Sequence, residues 1–333
     1  MTTNRVFLLE KRPDPDITDE TLRLEERPVP EPADGEVLVR NTWLSLDPTN
    51  RSWMNAQATY LPPIPLGHVM RGITAGRVVA SRFEGLEEGA LVSGMGGFAD
   101  YAALPGKSLT RIPDGVDPRA ALSVLGHIGL TAYFGLLDVG RPKEGDTVLV
   151  SAAAGATGSL VGQIAKLHGC RVVGTAGSDE KCAWLTDELG FDAAINYRKT
   201  PDLTRAVREA CPKRVDVFFD NVGGAILDAA LASLAMRGRV VVCGGISQYN
   251  AKKVAGPSNY LALVVARGRM EGFVVLDYLP RANEALAALV PWLQRGELKS
   301  RYHVVEGLEN AASALQLLFE GGNQGKLLVA IES

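Results

Sequence analysis

Residues 146–163 read DTVLVSAAAGATGSLVGQ, and this stretch decides the fold. Its first five residues, 146–150, are mostly β-branched or apolar, which predicts a buried parallel strand. A turn of small residues follows, and residues 159–168 then place Leu160, Ile164 and Leu167 at helical spacing. The stretch therefore predicts a strand, a tight turn and a helix in direct succession.

The turn carries a variant of the dinucleotide-binding fingerprint, Ala153-x-Gly155-x-x-Gly158, with alanine in the first glycine position. Gly155 would let the backbone approach a pyrophosphate, and Gly158 would let the helix pack closely on its strand. The free N–H groups at the helix start, which include those of Ala156 and Thr157, would hold the phosphates. A turn of small residues at any strand–helix junction would look the same, so the residues that follow decide between the two interpretations.

The acidic residue that marks NAD use is absent from the second predicted strand, residues 171–175. NAD enzymes tend to end this strand in Asp or Glu, which bonds the ribose 2′-OH. Here the chain continues with Gly177 and Ser178, and Lys181 follows one helical turn later. This pattern favours NADPH, because a 2′-phosphate would meet a cation and no repelling carboxylate. Alternatively, residues 178–180 are an ordinary helix N-cap with first-turn acids, and Lys181 is a surface residue.

Bulk composition excludes several classes of protein. The 333 residues are 46% hydrophobic and 22% charged, with net charge −3, and suggest about two domains. No basic block predicts binding to nucleic acid or an anionic membrane, and no apolar run approaches the roughly twenty residues of a membrane span. The N-terminus lacks the apolar core of a signal peptide. The four cysteines have no CxxC spacing, so we expect reduced thiols in a cytoplasmic enzyme.

The predicted elements indicate two domains of different construction. Residues 1–125 are rich in short strands separated by Pro and Gly, which is typical of a barrel-like domain. From residue 146 strands and helices alternate, which predicts an α/β doubly wound parallel sheet. Its six strands are expected at 147–150, 171–175, 193–196, 215–220, 239–242 and 270–275. The last elements are expected to pack on the first domain, giving 1–125 with 276–333 and 126–275.

Motifs along nearly the whole chain resemble those of the medium-chain dehydrogenase/reductase superfamily. They are residues 44–48, 126–133, 152–158, 177–181, 190–197, 219–224, 243–249, 269–275 and 322–326. Their combination is similar to the zinc-free, NADP-dependent branch of alkenal/alkenone and prostaglandin reductases, and within it to the bacterial curcumin-reductase-like group. The resemblance implies a GroES-like β-barrel catalytic domain, a Rossmann NADP-binding domain and a homodimer, for which residues 269–276 could pair across a two-fold axis.

The resemblance also implies a set of cofactor contacts. Lys181 and Tyr197 match residues that approach the 2′-phosphate, together with Gly177. The nicotinamide side would be lined by Asn221, Cys243, Gly244, Ile246, Ser247, Tyr249, Phe273, Val274, Val275 and Asn323. Taken singly, Asn221 or Asn323 is an Asx-turn residue as readily as a ligand contact, and Tyr197 is a half-buried surface aromatic.

We expect no metal. A catalytic zinc needs three protein ligands and a structural zinc needs four. No cysteine precedes Cys170, and His68 is followed by Val69 where zinc-dependent relatives have Glu.

Without a metal, a hydroxyl donor would have to stabilise the enolate that forms when hydride adds to the β-carbon of an enone. The candidates are Tyr60, which matches a family tyrosine before Pro62-Pro63, and Tyr260; either could instead be a pocket wall. Thr49 stands where many relatives have a pocket tyrosine, which predicts a wider or more polar substrate pocket. Arg51 is expected to face the cofactor or substrate, or else the surface.

These observations predict an NADPH-dependent reductase of the C=C bond of small to medium lipophilic α,β-unsaturated ketones and aldehydes. The enolate would be held by a tyrosine or by the cofactor ribose hydroxyl. The alternatives are an NADPH-dependent quinone reductase and an NADPH-binding protein without significant catalysis.

Overall fold

The computed structural model describes residues 3–331. Its contacts divide the chain into two units, Met1–Ser123 with Tyr302–Ser333, and Val124–Arg301. The second boundary therefore lies at residue 302 and not at the expected residue 276. The reason is the helix Ala282–Gln294, which packs against the helix His127–Phe134 within the second unit.

The strands and helices follow one another along the chain. The strands are β1 (Thr3–Leu9), β2 (Leu22–Pro28), β3 (Glu36–Ser45), β4 (Ile73–Ser81), β5 (Leu91–Gly94), β6 (Tyr101–Pro105), β7 (Thr110–Arg111), β8 (Thr147–Val150), β9 (Arg171–Ala176), β10 (Ala193–Asn196), β11 (Val215–Asp220), β12 (Leu234–Val242), β13 (Arg269–Gly272), β14 (Tyr302–Glu306) and β15 (Lys326–Ala330). The α-helices are α1 (Pro48–Trp53), α2 (Pro118–Ala121), α3 (His127–Phe134), α4 (Ala156–Leu167), α5 (Asp179–Asp187), α6 (Leu203–Ala210), α7 (Gly224–Ala232), α8 (Ala262–Ala266), α9 (Ala282–Gln294) and α10 (Ala311–Glu320).

The second unit is built on a parallel sheet with the order β10-β9-β8-β11-β12-β13. Counted within the unit this is the order 3-2-1-4-5-6, which confirms the doubly wound prediction. All four residues of β8 are buried, as a central strand covered on both faces requires. The strand expected at 270–275 is shorter, because the chain leaves the sheet after Gly272 and Val275 begins a 3-10 helix.

The first unit contains a mixed sheet, antiparallel except for the parallel pair β14–β15, and a separate hairpin. The larger sheet has the order β14-β15-β3-β4-β5-β7, with β6 also paired to β3. Strand β15 lies antiparallel to β3, so the end of the chain joins the sheet formed by its beginning. The hairpin β1-β2 lies outside the strands expected from the sequence.

A buried ion pair ties β15 to the start of α1. The Lys326 ammonium lies 2.7 Å from Asp47 Oδ1 and donates to the Leu46 carbonyl at 2.8 Å. Asp47 Oδ2 also accepts from Ser45 Oγ at 2.5 Å. Burial lowers the pKa of Lys326, and the Asp47 carboxylate acts against that shift. The pair holds α1, which carries two of the predicted pocket residues.

We predict that Lys326→Met lowers the free energy of unfolding by about 3–5 kcal/mol, because Asp47 would keep a buried charge without its cation. The double variant Asp47→Asn/Lys326→Met should lose less than the single variant. The exposed Lys107→Met is the control and should change stability by less than about 0.5 kcal/mol. Urea unfolding of the four proteins measures this, and an unchanged Lys326→Met midpoint would refute the role of the pair.

Candidate functional site

The turn between β8 and α4 is shaped by close backbone packing. Ala152 adopts a left-handed φ of 47°, and Gly155 precedes the helix with its N–H donated to the Ala152 carbonyl at 2.9 Å. A Cβ at Gly158 would overlap that same carbonyl oxygen. The amides of Ala156 and Thr157 belong to the first helical turn, where N–H groups lack acceptors within the helix. This geometry suits a diphosphate, as the fingerprint predicts.

The alanine in the first fingerprint position is accommodated by a glycine on the neighbouring strand. Ala153 is fully buried and donates its N–H to the Thr175 carbonyl at 3.0 Å. A Cβ at Gly174 would lie 2.7 Å from the Ala153 methyl carbon. Gly174 therefore leaves the space that the Ala153 methyl group occupies. The sequence alone did not reveal this contact, because it joins the turn after β8 to a residue of β9.

Just beyond the end of β9, Ser178 caps the start of α5 and Lys181 adds a positively charged side chain. Ser178 Oγ accepts from the Lys181 backbone N–H at 3.2 Å, so Ser178 is the N-cap of α5. The Lys181 side chain is half-buried and Gly177 lies beneath the Tyr197 hydroxyl, which would be 3.0 Å from a Cβ placed there. The capping interpretation of Ser178 is correct, and the cap uses the backbone N–H of Lys181.

A buried carboxylate, which the sequence analysis missed, organises the loops after β8 and β11. Asp220 Oδ1 accepts from Ser151 Oγ and from the N–H groups of Val222 and Gly223, each at 2.9 Å. Burial raises the pKa of Asp220 in spite of these donors. Asn221 donates its side-chain amide to the Ser151 carbonyl at 2.7 Å. Asn221 thus holds the two strand ends together at the point where the strand order reverses, which is where open α/β sheets bind ligands.

The loop after β12 is fastened to the loop after β11. Cys243 and Gly244 donate their N–H groups to the Asp220 carbonyl at 2.9 and 3.1 Å. Ile246 donates to the Asn221 carbonyl at 3.1 Å, and Ser247 Oγ donates to the Val222 carbonyl at 2.6 Å. Cys243 is half-buried. The pKa of its thiol is raised to about 12, mainly by desolvation and to a smaller extent by the negative charge of Asp220. The thiol is therefore protonated and suits packing or a neutral contact.

Two further groups complete this edge of the second unit. The Tyr249 hydroxyl accepts from the Gly245 N–H at 3.2 Å and so closes the 243–249 loop. The Phe273 ring meets Phe219 edge to face with centroids 6.4 Å apart. Val274 and Val275 are half-buried beside it. The structure thus brings together the predicted residues that follow β11, β12 and β13.

The first unit holds a pair of hydroxyl groups. Thr49 on α1 and Tyr60 form a hydrogen bond between Oγ1 and Oη, and the Tyr60 side chain is 47% exposed. The sequence analysis named both residues but not their bond. Asn323 donates its amide to the Gly325 carbonyl at 3.0 Å, which is a local turn contact.

Arg51 does not lie on the surface, so that expectation for it is corrected. It is 4% exposed, and its guanidinium donates to the Pro15 carbonyl at 2.7 Å and to Asn55 Oδ1 at 2.6 Å. Burial lowers the pKa of this arginine. Arg51 therefore anchors the loop around residue 15 to α1.

Tyr260, the other candidate donor, lies in the second unit on the turn before α8. Its side chain is 60% exposed, and its carbonyl accepts from the Leu263 N–H at 3.0 Å.

Residues 3–331 contain neither a cluster of metal ligands nor a helix that could cross a membrane. No group of three or more His, Cys, Asp or Glu side chains in this part of the chain could hold a metal ion. His68 is exposed, with Nδ1 3.3 Å from the Leu66 carbonyl oxygen. No helix within the same range has the length and apolar character needed to cross a bilayer.

Two family models match the chain. Residues 5–112 match the N-terminal domain of oxidoreductase, and residues 156–294 match a model described as zinc-binding dehydrogenase.

The curated relatives match over nearly the whole chain. The NADPH-dependent curcumin reductase of Escherichia coli is 40% identical over 98% of this chain and 97% of its own length. The NADP-dependent 2-alkenal reductase of Nicotiana tabacum is 40% identical over 96% of this chain and 93% of its own length. The crystal structure of CurA from Vibrio vulnificus in complex with NADPH is 41% identical, covers 99% of both chains and superposes with a TM-score of 0.94.

Proposed function

We propose that this chain reduces the C=C bond of small to medium lipophilic enones. It belongs to the zinc-free, NADP-dependent branch of the medium-chain dehydrogenases/reductases, which includes the alkenal, prostaglandin and curcumin reductases. The observation that supports this most is the exposed Tyr60 hydroxyl, held by Thr49 in a unit whose fold is GroES-like. The chain is an NADP-dependent oxidoreductase with a GroES-like and a Rossmann-like domain.

The residues proposed to hold NADPH in the second unit come from the glycine fingerprint and from the family resemblance. The first-turn amides of α4, at Ala156, Thr157 and Gly158, would hold the diphosphate, with Gly155 allowing its close approach. Lys181 and Tyr197 would hold the 2′-phosphate. The nicotinamide would contact residues that follow β11, β12 and β13. When bound, NADPH supplies the hydride for the β-carbon of the substrate.

In this mechanism Tyr60 stabilises the charge that develops on the substrate. Hydride addition to the β-carbon moves an electron pair onto the carbonyl oxygen, and the enolate then takes a proton at the α-carbon from solvent or a hydroxyl group. A tyrosine side chain is ordinarily protonated at neutral pH and can donate a hydrogen bond to that oxygen. Thr49 accepts or donates to the same hydroxyl and so limits its rotation.

The residue at position 49 bears on the choice of substrate. Thr49 stands where the family resemblance implies a pocket tyrosine, so we expect a wider or more polar pocket beside Tyr60. The loss of that aromatic side chain argues against a preference for a bulky molecule with two aromatic ends.

We also propose that two copies of this chain form a dimer through β13. In the sheet order β13 is the last strand, and its outer edge pairs with no strand among residues 3–331. Beside it Leu261, Val264 and Val265 of the α8 region are 61%, 71% and 75% exposed. An open strand edge next to exposed apolar side chains is typical of an interface, and a two-fold axis would join two β13 strands into one sheet.

The proposed function is tested by NADPH oxidation with a panel of acceptors. We expect oxidation with small enones and 2-alkenals, and product analysis should show a saturated C–C bond with the carbonyl retained. Oxidation with quinones alone would support the quinone reductase alternative, and oxidation with neither class would indicate an NADPH-binding protein without significant catalysis.

Tyr60→Phe should lower turnover of an enone by roughly 10²–10³-fold, because a donor to the enolate oxygen is lost. The dissociation constant of NADPH should stay within about twofold. Tyr260→Phe is the matched variant, since it removes the hydroxyl of the other candidate. Full turnover in Tyr60→Phe would remove Tyr60 from the mechanism, and a loss confined to Tyr260→Phe would transfer the role to Tyr260.

Val264→Lys/Val265→Lys should convert a dimer into a monomer of 35.5 kDa, because the charges could not be buried against a second copy. Size-exclusion chromatography with light scattering gives the mass directly. Val79→Lys, on the exposed side of β4, is the control and should leave the dimer intact. An unchanged dimer in the double variant would contradict the interface.

A further inference from the structure

The parallel pairing of β9 and β10 brings a second cation to the predicted 2′-phosphate region. Asn196, the last residue of β10, lies opposite Ala176, the last residue of β9. Gly177 and Arg198 are therefore the first and second residues beyond paired strand ends. Because parallel strands end at the same edge of a sheet, the two positions are neighbours in space although 21 residues separate them in the sequence.

The Arg198 side chain lies against the backbone of Gly177. A Cβ at Gly177 would be 3.3 Å from Arg198 Nε and 3.0 Å from the Tyr197 hydroxyl. The Arg198 N–H also donates to Asn196 Oδ1 at 3.2 Å, which fixes the backbone at this point. The guanidinium can hold this position because residue 177 has no side chain.

The charges around this point are arranged in favour of an anion. Lys181 is half-buried, and its pKa is lowered first by burial and then by the positive charge of Arg198. The carboxylate of Asp179 is occupied elsewhere, since it accepts from Asn196 Nδ2 at 2.6 Å and from Lys199 Nζ at 2.5 Å. The Glu180 carboxylate acts in the opposite direction and raises the pKa of Lys181. Two cations thus lie at one end of the sheet, where a doubly charged ligand would interact favourably with both.

We propose that Arg198 is a second cation of the 2′-phosphate site and a determinant of the preference for NADPH over NADH. Its planar guanidinium can donate two parallel hydrogen bonds to a phosphate, which the lysine ammonium cannot do in the same way. The sequence analysis assigned Lys181 and Tyr197 to this group but not Arg198. The inference depends on NADPH as the cofactor and not on the identity of the reduced substrate.

Arg198→Gln tests this inference through binding, without turnover. Hydrogen bonds to a charged group contribute about 1.5–3 kcal/mol, so the dissociation constant of NADPH should rise by about 10–100-fold. The dissociation constant of NADH should change by less than about twofold. In competition experiments, 2′,5′-ADP should likewise bind more weakly to the variant, whereas 5′-AMP should bind as it does to the wild type. Nucleotide fluorescence titration measures the two coenzymes. Arg205→Gln is the matched control, because Arg205 is an exposed arginine of α6 paired with Glu209 at 2.8 Å.

The binding measurements on Arg198→Gln either support or overturn the assignment. The assignment of Arg198 to the 2′-phosphate site is supported if Arg198→Gln binds NADPH and 2′,5′-ADP more weakly but binds NADH and 5′-AMP as before. The melting temperature of the free protein should also stay unchanged. Equal weakening of NADPH and NADH would show that Arg198 has only a structural role, and an unchanged NADPH affinity would show that it does not contact the phosphate. Either outcome overturns the proposal while leaving enone reduction open to its own test.

Discussion

The contact on which the rest of the structure depends is the approach of α4 to the turn that precedes it. Gly158 lies so close to the Ala152 carbonyl that a single methyl group would overlap it. This approach places the first-turn amides of α4 at the edge of the sheet where the strand order reverses between β8 and β11. Gly174 on β9 allows the same turn to contain the buried Ala153. The proposed cofactor site therefore depends on two glycines, Gly158 and Gly174, whose missing side chains leave room for this packing.

Buried polar groups at strand ends position the loops of both units. In the second unit Asp220 binds Ser151 and two backbone amides, and its carbonyl receives the N–H groups of the loop after β12. In the first unit the Lys326–Asp47 pair holds the beginning of α1, so that Thr49 meets Tyr60. Each network satisfies its buried charges or polar atoms internally, which makes the loop positions specific.

The sequence predicted those features whose residues lie close together along the chain. The alternation of strands and helices, the glycine turn and the Ser178 cap were all visible because each arises within about twenty residues. Features that join distant residues were missed or wrong. The bond of Arg51 to Pro15 spans 36 residues and that of Lys326 to Asp47 spans 279. The placement of α9 in the second unit likewise follows from its packing on α3, for which periodicity carries no signal.

The most direct test of this account is the affinity for NADPH when one methyl group is added to the turn. Gly158→Ala and Gly256→Ala add the same group, but the second lies in open space. We expect fluorescence titration to show NADPH binding weakened by about 5–150-fold in Gly158→Ala and unchanged in Gly256→Ala, since overpacking by a methyl group carries a penalty of about 1–3 kcal/mol. Wild-type affinity in Gly158→Ala would contradict the placement of the diphosphate on this turn.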